Sequence, residues 1–80
     1  MDLDWRKHIH SDPAILGGKP VVRGSRISVE LILEYFADGA SMANILEAYP
    51  HLTEADVRAA IAFTRELLHE EASAAQRRAA

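Results

Sequence analysis

The sequence predicts a mainly α protein, a trihelical helix-turn-helix bundle preceded by a short N-terminal β-hairpin or strand pair. Three observations predict it. Apolar residues recur at helical spacing in three stretches that follow Ser28. Before Ser28, β-branched pairs are separated by glycines, the pattern of short strands joined by tight turns. The chain has 80 residues and no cysteine, so it holds one small core and no disulfide framework.

In the stretch LDWRKHI, Leu3, Trp5 and Ile9 are the only large apolar groups. Residues 1–12 read as a short strand or an extended arm, with Trp5 and Ile9 as its anchors on a core or a dimer interface. The body spans 13–70. It opens with AILGGKPVVRGSRISV, where Ile15–Leu16, Val21–Val22 and Ile27 with Val29 are separated by Gly17–Gly18 and Gly24–Ser25. The RGSR step is the hairpin candidate, because Gly24 accepts positive φ without a side-chain clash.

Ser28 is placed to cap the first helix, which carries Val29, Leu31, Ile32, Tyr35 and Phe36 and ends at Gly39. Ser41 caps a shorter second helix bearing Met42, Ile45, Leu46 and Tyr49, and Pro50 stops it. Thr53 with Asp56 forms a capping box in which Asp replaces the longer Glu or Gln. The third helix then runs to about Glu70. Val57, Ala60, Ile61, Thr64 and Leu68 form its stripe, widened by Phe63 and Leu67. Residues 71–80 form a tail that either prolongs this helix or frays.

The formal net charge of -3 hides a division. Residues 13–27 hold Lys19, Arg23 and Arg26 and no carboxylate, whereas residues 28–71 hold nine acidic side chains against Arg58 and Arg65. Such an asymmetry bears on partners, not on the fold. The basic turn calls for an anionic target, either a nucleic-acid backbone or a cluster of carboxylates in another protein. The competing reading is pairing with the acidic helices of the same chain or of a second subunit. On the third helix, Arg58 and Arg65 with Thr53 at its start are the candidates for DNA contact. Glu54, Asp56 and Glu66 on the same helix oppose phosphate, so a solvated face laced with ion pairs competes there as well.

Enzyme readings fare worse. His8 and His10 form an HxH pair and His51 and His69 stand alone, without the further ligands that a metal site requires. All four are expected to be exposed. Neither a nucleophile elbow nor a phosphate loop is present, since GGK lacks the required spacing and following helix. The expectation is a protein without catalytic residues, metal or cofactor. The N-terminal stretch lacks the apolar run of a signal peptide and no apolar stretch would cross a bilayer, so the chain is expected to be cytoplasmic with no membrane partner.

The order ILGGKPVVRGSRISVELILEYFADGAS, then ILEAYPHLTEADVRAAIAF, closely resembles the small bacterial domain of unknown function number 433. Members carry a GKPxIxGTRI-like turn, an apolar helix ending in G-x-S and a YPxLTxxDIxxAL-like third segment. The resemblance covers about residues 8–68, with Val22 and Ser25 replacing commoner Ile and Thr. It implies a helix-turn-helix fold with a short N-terminal β-element. It further implies an antitoxin, encoded beside a PIN-like ribonuclease toxin; the small core and the helix pair add the expectation of a homodimer that binds operator DNA. Within that picture Arg23 or Arg26 would occupy the carboxylate cluster of the toxin. Two other classes compete: a stand-alone transcriptional regulator, and a structural dimerisation module without DNA binding.

Overall fold

The computed structural model describes residues 3–79. In chain order it has a 3-10 turn at Trp5–Lys7, strand β1 at Ile9–His10, a second 3-10 turn at Leu16–Gly18 and strand β2 at Val21–Val22. Helices α1 (Val29–Ala37), α2 (Met42–Ala48) and α3 (Glu54–Ala79) follow. The mainly α architecture with a short β-element is therefore the one the sequence predicts.

The strand pair draws one of its members from the arm. β1 and β2 run antiparallel, with Ile9 opposite Val22 and His10 opposite Val21. The arm of residues 1–12 thus contributes a strand and a helical turn to the folded body. The RGSR turn closes as expected, with Val22 N–H donating to Ile27 O at 2.9 Å and an isolated bridge between Val21 and Ser28. Ile15–Leu16, in contrast, forms no strand. Leu16, Gly17 and Gly18 all take positive φ (48°, 65° and 89°), a left-handed run that curls the backbone away from any ladder.

Local chemistry sets the helix ends. Ser28 Oγ accepts from Leu31 N at 3.0 Å at the start of α1. Gly39, at φ 93°, closes it with N–H donation to Phe36 O, while Ala40 N–H reaches Tyr35 O. α2 opens on a reciprocal box that the sequence reading did not include: Asn44 N donates to Ser41 Oγ at 3.1 Å and Ser41 N to Asn44 Oδ1 at 2.9 Å. The predicted box at α3 also forms. Asp56 N donates to Thr53 Oγ1 at 3.1 Å and Thr53 N to Asp56 Oδ2 at 3.0 Å.

The core gathers Ile9, Val22, Ile27, Val29, Ile32, Ile45, Leu52, Val57, Ala59 and Ala60. The predicted stripe of α3 needs correction: Ile61 and Leu68 are 44% and 64% exposed, and Ala59 is buried instead. At Ile61 the reason lies in the N-terminal turn and β1, which pack on α3 alongside α1 and α2 and shift its buried arc; Leu68 lies in the stretch 65–72, where every residue is exposed because the helix has run past the body. α3 also overruns its predicted end, continuing to Ala79 through good helix formers and giving a molecule of 46 × 30 × 27 Å. Trp5 is half-buried and meets Phe63 of α3 edge-on, ring centres 4.9 Å apart at 69°. It anchors the arm to its own chain.

Ile45 has no solvent exposure. Ile45→Ala is expected to cost about 2–5 kcal/mol, a large share of the roughly 5–15 kcal/mol that holds a domain folded. Urea unfolding followed by circular dichroism checks this through a fall in the midpoint at unchanged slope.

Candidate interaction site

The basic turn is built by the strand pair. β2 ends at Val22, and Arg23 N–H donates to His8 O at 2.7 Å, so the turn leaves the sheet beside the end of β1. Gly24 then takes φ 79°, a backbone conformation that favours glycine. Ser25 completes the turn, its hydroxyl donating to Val22 O at 2.8 Å and accepting from Ile27 N at 3.0 Å. Arg23 and Arg26 are exposed on either side of Gly24–Ser25.

The three cations assigned to this site have different fates. Lys19 Nζ lies 3.1 Å from Glu30 Oε1, so the expectation of an unopposed positive charge fails at this position. Glu30 sits in the first turn of α1, and α1 starts close to Lys19 because Val29 N–H donates to Pro20 O. Both side chains are more than half exposed, so the pair is worth about 0–1 kcal/mol. Arg23 has no carboxylate partner among the described residues. Its Nε and Nη2 both donate to Arg6 O, at 3.1 and 3.0 Å, which fixes the guanidinium but leaves its charge uncompensated. Arg26 makes no hydrogen bond or ion pair among the described residues.

Arg6 joins the site through its backbone carbonyl, which holds Arg23. In sequence Arg6 lies among the aspartates of residues 1–12, whereas the register of β1 on β2 brings it to Arg23. Its guanidinium lies 4.7 Å from the centre of the Trp5 ring and 3.8 Å from Asp4. Arg6, Asp4 and Trp5 share a polar cleft of about 420 Å³ with Arg65 and Glu66 of α3. The strand pair and this cleft therefore link Arg23 to Arg65 through Arg6.

The other residues assigned to DNA contact are engaged within the chain. Thr53 Oγ1 accepts from the Asp56 amide, and Arg58 Nε lies 3.4 Å from Glu54 Oε1 one turn earlier. The histidines also differ from expectation. His51 and His69 are exposed, but His8 and His10 are only partly so. His8 Nδ1 donates to Asp56 Oδ1 at 2.8 Å, and His10 Nε2 is buried without a partner among the described residues. No cluster of three or more metal-ligating side chains occurs among the described residues.

Asp56 thus uses both carboxylate oxygens, one for the cap of α3 and one for the arm. Burial works against its ionisation. The hydrogen bonds from Thr53 and from His8 outweigh that burial and hold its carboxyl below the usual carboxylate range.

A small helix-turn-helix bundle, with a two-stranded sheet clamped on its third helix and an arginine-flanked turn leaving that sheet, is the class these features define. Residues 9–64 match the family described as Protein of unknown function (DUF433), and the chain belongs to that family. It is similar to the crystal structure of a DUF433 member protein from Anabaena variabilis, with a TM-score of 0.72 and 31% identity. That match covers 78% of this chain and 61% of the other. It is also 44% identical, over 55 residues, to the uncharacterized protein y4eO of Sinorhizobium fredii, covering 69% of this chain. The chain spans 25% of that relative's length. Among the described residues no helix is long and apolar enough to cross a membrane.

The lowered pKa of Asp56 fixes the sign of a pH effect. A carboxyl whose folded value lies below its unfolded value of about 3.9 contributes stability above that pH and loses it as pH falls through the folded value. Thermal melts from about pH 6 down to about pH 2.5 are therefore expected to show the stability gap between the native chain and Asp56→Asn shrinking as acid is added. A gap that stays constant or widens contradicts the assignment.

Proposed function

We propose that the chain is an antitoxin-like DNA-binding protein that neutralises a PIN-like ribonuclease toxin and represses its own operon. One observation carries the reading. Arg23 and Arg26 stand exposed on either side of a tight turn, and neither is ion-paired among the described residues of a chain whose net charge is -3. A positive protrusion on a negative body selects an acidic partner and repels a basic one. The family resemblance supplies that partner, a nuclease whose metal is held by carboxylates. A guanidinium entering such a site forms short, forked, charge-assisted hydrogen bonds and displaces the cation. Arg26 is the inserting group. Arg23, fixed by Arg6 O, holds the turn and adds a second positive charge at the rim.

Operator binding uses α2 and α3 as the helix-turn-helix. Of the three residues assigned to DNA, Arg65 alone has no intrachain ion pair or cap bond among the described residues. Arg65 and Arg6, facing one cleft, supply phosphate contacts that position the domain. Arg58 joins them only by leaving Glu54, and Thr53 only through the remaining capacity of its hydroxyl.

Two measurements test the proposal. Hydrogen bonds to charged groups are worth about 1.5–3 kcal/mol, so Arg26→Ala is expected to weaken binding to the nuclease encoded beside it by roughly 10- to 100-fold. Full neutralisation by the Arg23→Ala/Arg26→Ala double variant removes the mechanism. In gel shifts with the chain's own promoter, Arg65→Ala should lower affinity on all sequences and reduce the salt slope by about one. If the native chain gives no salt-sensitive retardation, the DNA-binding half of the proposal falls.

A further inference from the structure

Helix α3 carries a second surface that neither the turn nor the cleft explains. From Arg65 to Ala72 every residue of the helix is exposed, including Leu67 at 48% and Leu68 at 64%. Leu68 gives most of its surface to solvent and Leu67 about half, beside the body's own Phe63 and Leu33. Their position is ordered. Val57, Ala60, Thr64, Leu67, Glu71, Ala74 and Arg78 follow one another in alternating steps of three and four along α3. Numbered as a heptad these are a and d positions, of which Val57 and Ala60 lie in the core of the body, while Thr64, Glu71 and Arg78 are polar where a coiled-coil seam is apolar. Beyond Thr64 the seam leaves the body and continues into solvent. A helical segment of this length is marginal in water without packing.

We infer that the exposed half of α3 pairs antiparallel with the same segment of a second copy of this chain. The charges favour that occupant and that direction. With this seam, Glu70 and Arg77 both fall on g positions. In an antiparallel pair g faces g, so Glu70 of each copy meets Arg77 of the other, twice by symmetry. Glu71 and Arg78, on a positions, lie within about a turn of each other across the same seam. A parallel pair would instead set Glu71 against Glu71 and Arg78 against Arg78, like charges inside a desolvating seam. Ala74 supplies the small side chain that lets the backbones approach.

The seam also has a landing place on the body. A groove of about 250 Å³ beside Leu67 is lined by Val29, Leu33 and Phe63, with Glu30 at its rim. In the antiparallel arrangement the basic end of the second copy's α3 runs toward Leu67 and this groove, at whose rim Glu30 is already paired with Lys19. Apolar burial at Leu67, Leu68 and the groove drives the association, and the charges set its direction. The inference is independent of the toxin and of the operator.

Sedimentation equilibrium on the full chain tests it. The native chain is expected to form a dimer that Leu67→Asp/Leu68→Asp abolishes, with the helical circular dichroism of the body retained. Glu70→Arg/Glu71→Arg and Arg77→Glu/Arg78→Glu are each expected to weaken self-association by about tenfold or more, since several cross pairs change from attraction to repulsion. Mixing these two reversed chains should restore a dimer containing one of each. A native chain that remains monomeric at the highest concentration reached overturns the inference. A dimer indifferent to both leucines also overturns it and places the contact elsewhere. Reversed chains that fail to associate when mixed overturn the antiparallel direction.

Discussion

Both oxygens of the Asp56 carboxylate are committed, and much of the molecule follows from that. Oδ2 accepts a hydrogen bond from the Thr53 amide and starts α3; Oδ1 accepts one from His8 Nδ1–H and ties down the segment before β1. An ionised carboxylate only accepts, so the contact requires a hydrogen on His8 Nδ1. With His8 held, Ile9 is placed in the core opposite Val22, and Arg23 N–H finds His8 O. The basic turn is therefore positioned from α3 through a side-chain bond, a ladder and a backbone bond in succession. A Glu at residue 56 would reach the cap in the ordinary box. The shorter Asp lies close enough to the helix start to serve the cap and the arm together.

The same chain of contacts explains why the cations of the turn are unequal. Lys19 precedes β2 and meets α1, whose first turn carries Glu30, so it is neutralised on an exposed surface. Arg23 follows β2 and meets the arm, where the partner it finds among the described residues is a carbonyl. A carbonyl dipole orients a guanidinium without cancelling its charge, and the Arg6 carbonyl leaves Arg23 cationic and rigid. Arg26 lies beyond the turn, and no described residue pairs with it. The result is a graded surface: one cation spent internally, one fixed and one free. Fixing a charge lowers the entropy lost when a partner binds, and leaving another free lets it enter a recess.

The sequence carried the helices and their caps well because those signals are local. Ser28, Gly39, Ser41, Pro50 and Thr53 with Asp56 each act within one turn of their own position. The capping function of Asn44 was equally local, and its pairing with Ser41 follows the same three-residue spacing. What lay beyond reach was non-local. Nothing near residue 9 says that it pairs with residue 22, and nothing near His8 says that it meets Asp56. The predicted stripe of α3 failed for the same reason. Periodicity reports that a helix has an apolar face, but the arc that is buried depends on every neighbour, and the arm was not counted among them. Arg6 was lost with it, since its relation to Arg23 and Arg65 arises only after the arm is folded down.

A chain of 80 residues buries a smaller fraction of its surface than a larger domain does. Here much of the long third helix stands outside that burial. The helix serves the core at Val57, Ala59 and Ala60, turns Arg65 toward the polar cleft, and presents Leu67 and Leu68 to solvent. These three stretches succeed one another along a single rigid rod, so their relative directions are fixed by helical geometry and not by loops. The first stretch is where Asp56 fastens the arm, which in turn orients the arginine-flanked turn. Any load placed on the exposed end of α3 therefore acts on the same element that locates Arg6, Arg23 and Arg65. Coupling between the two surfaces requires no separate device, because the helix that would carry one is the support on which the other is built.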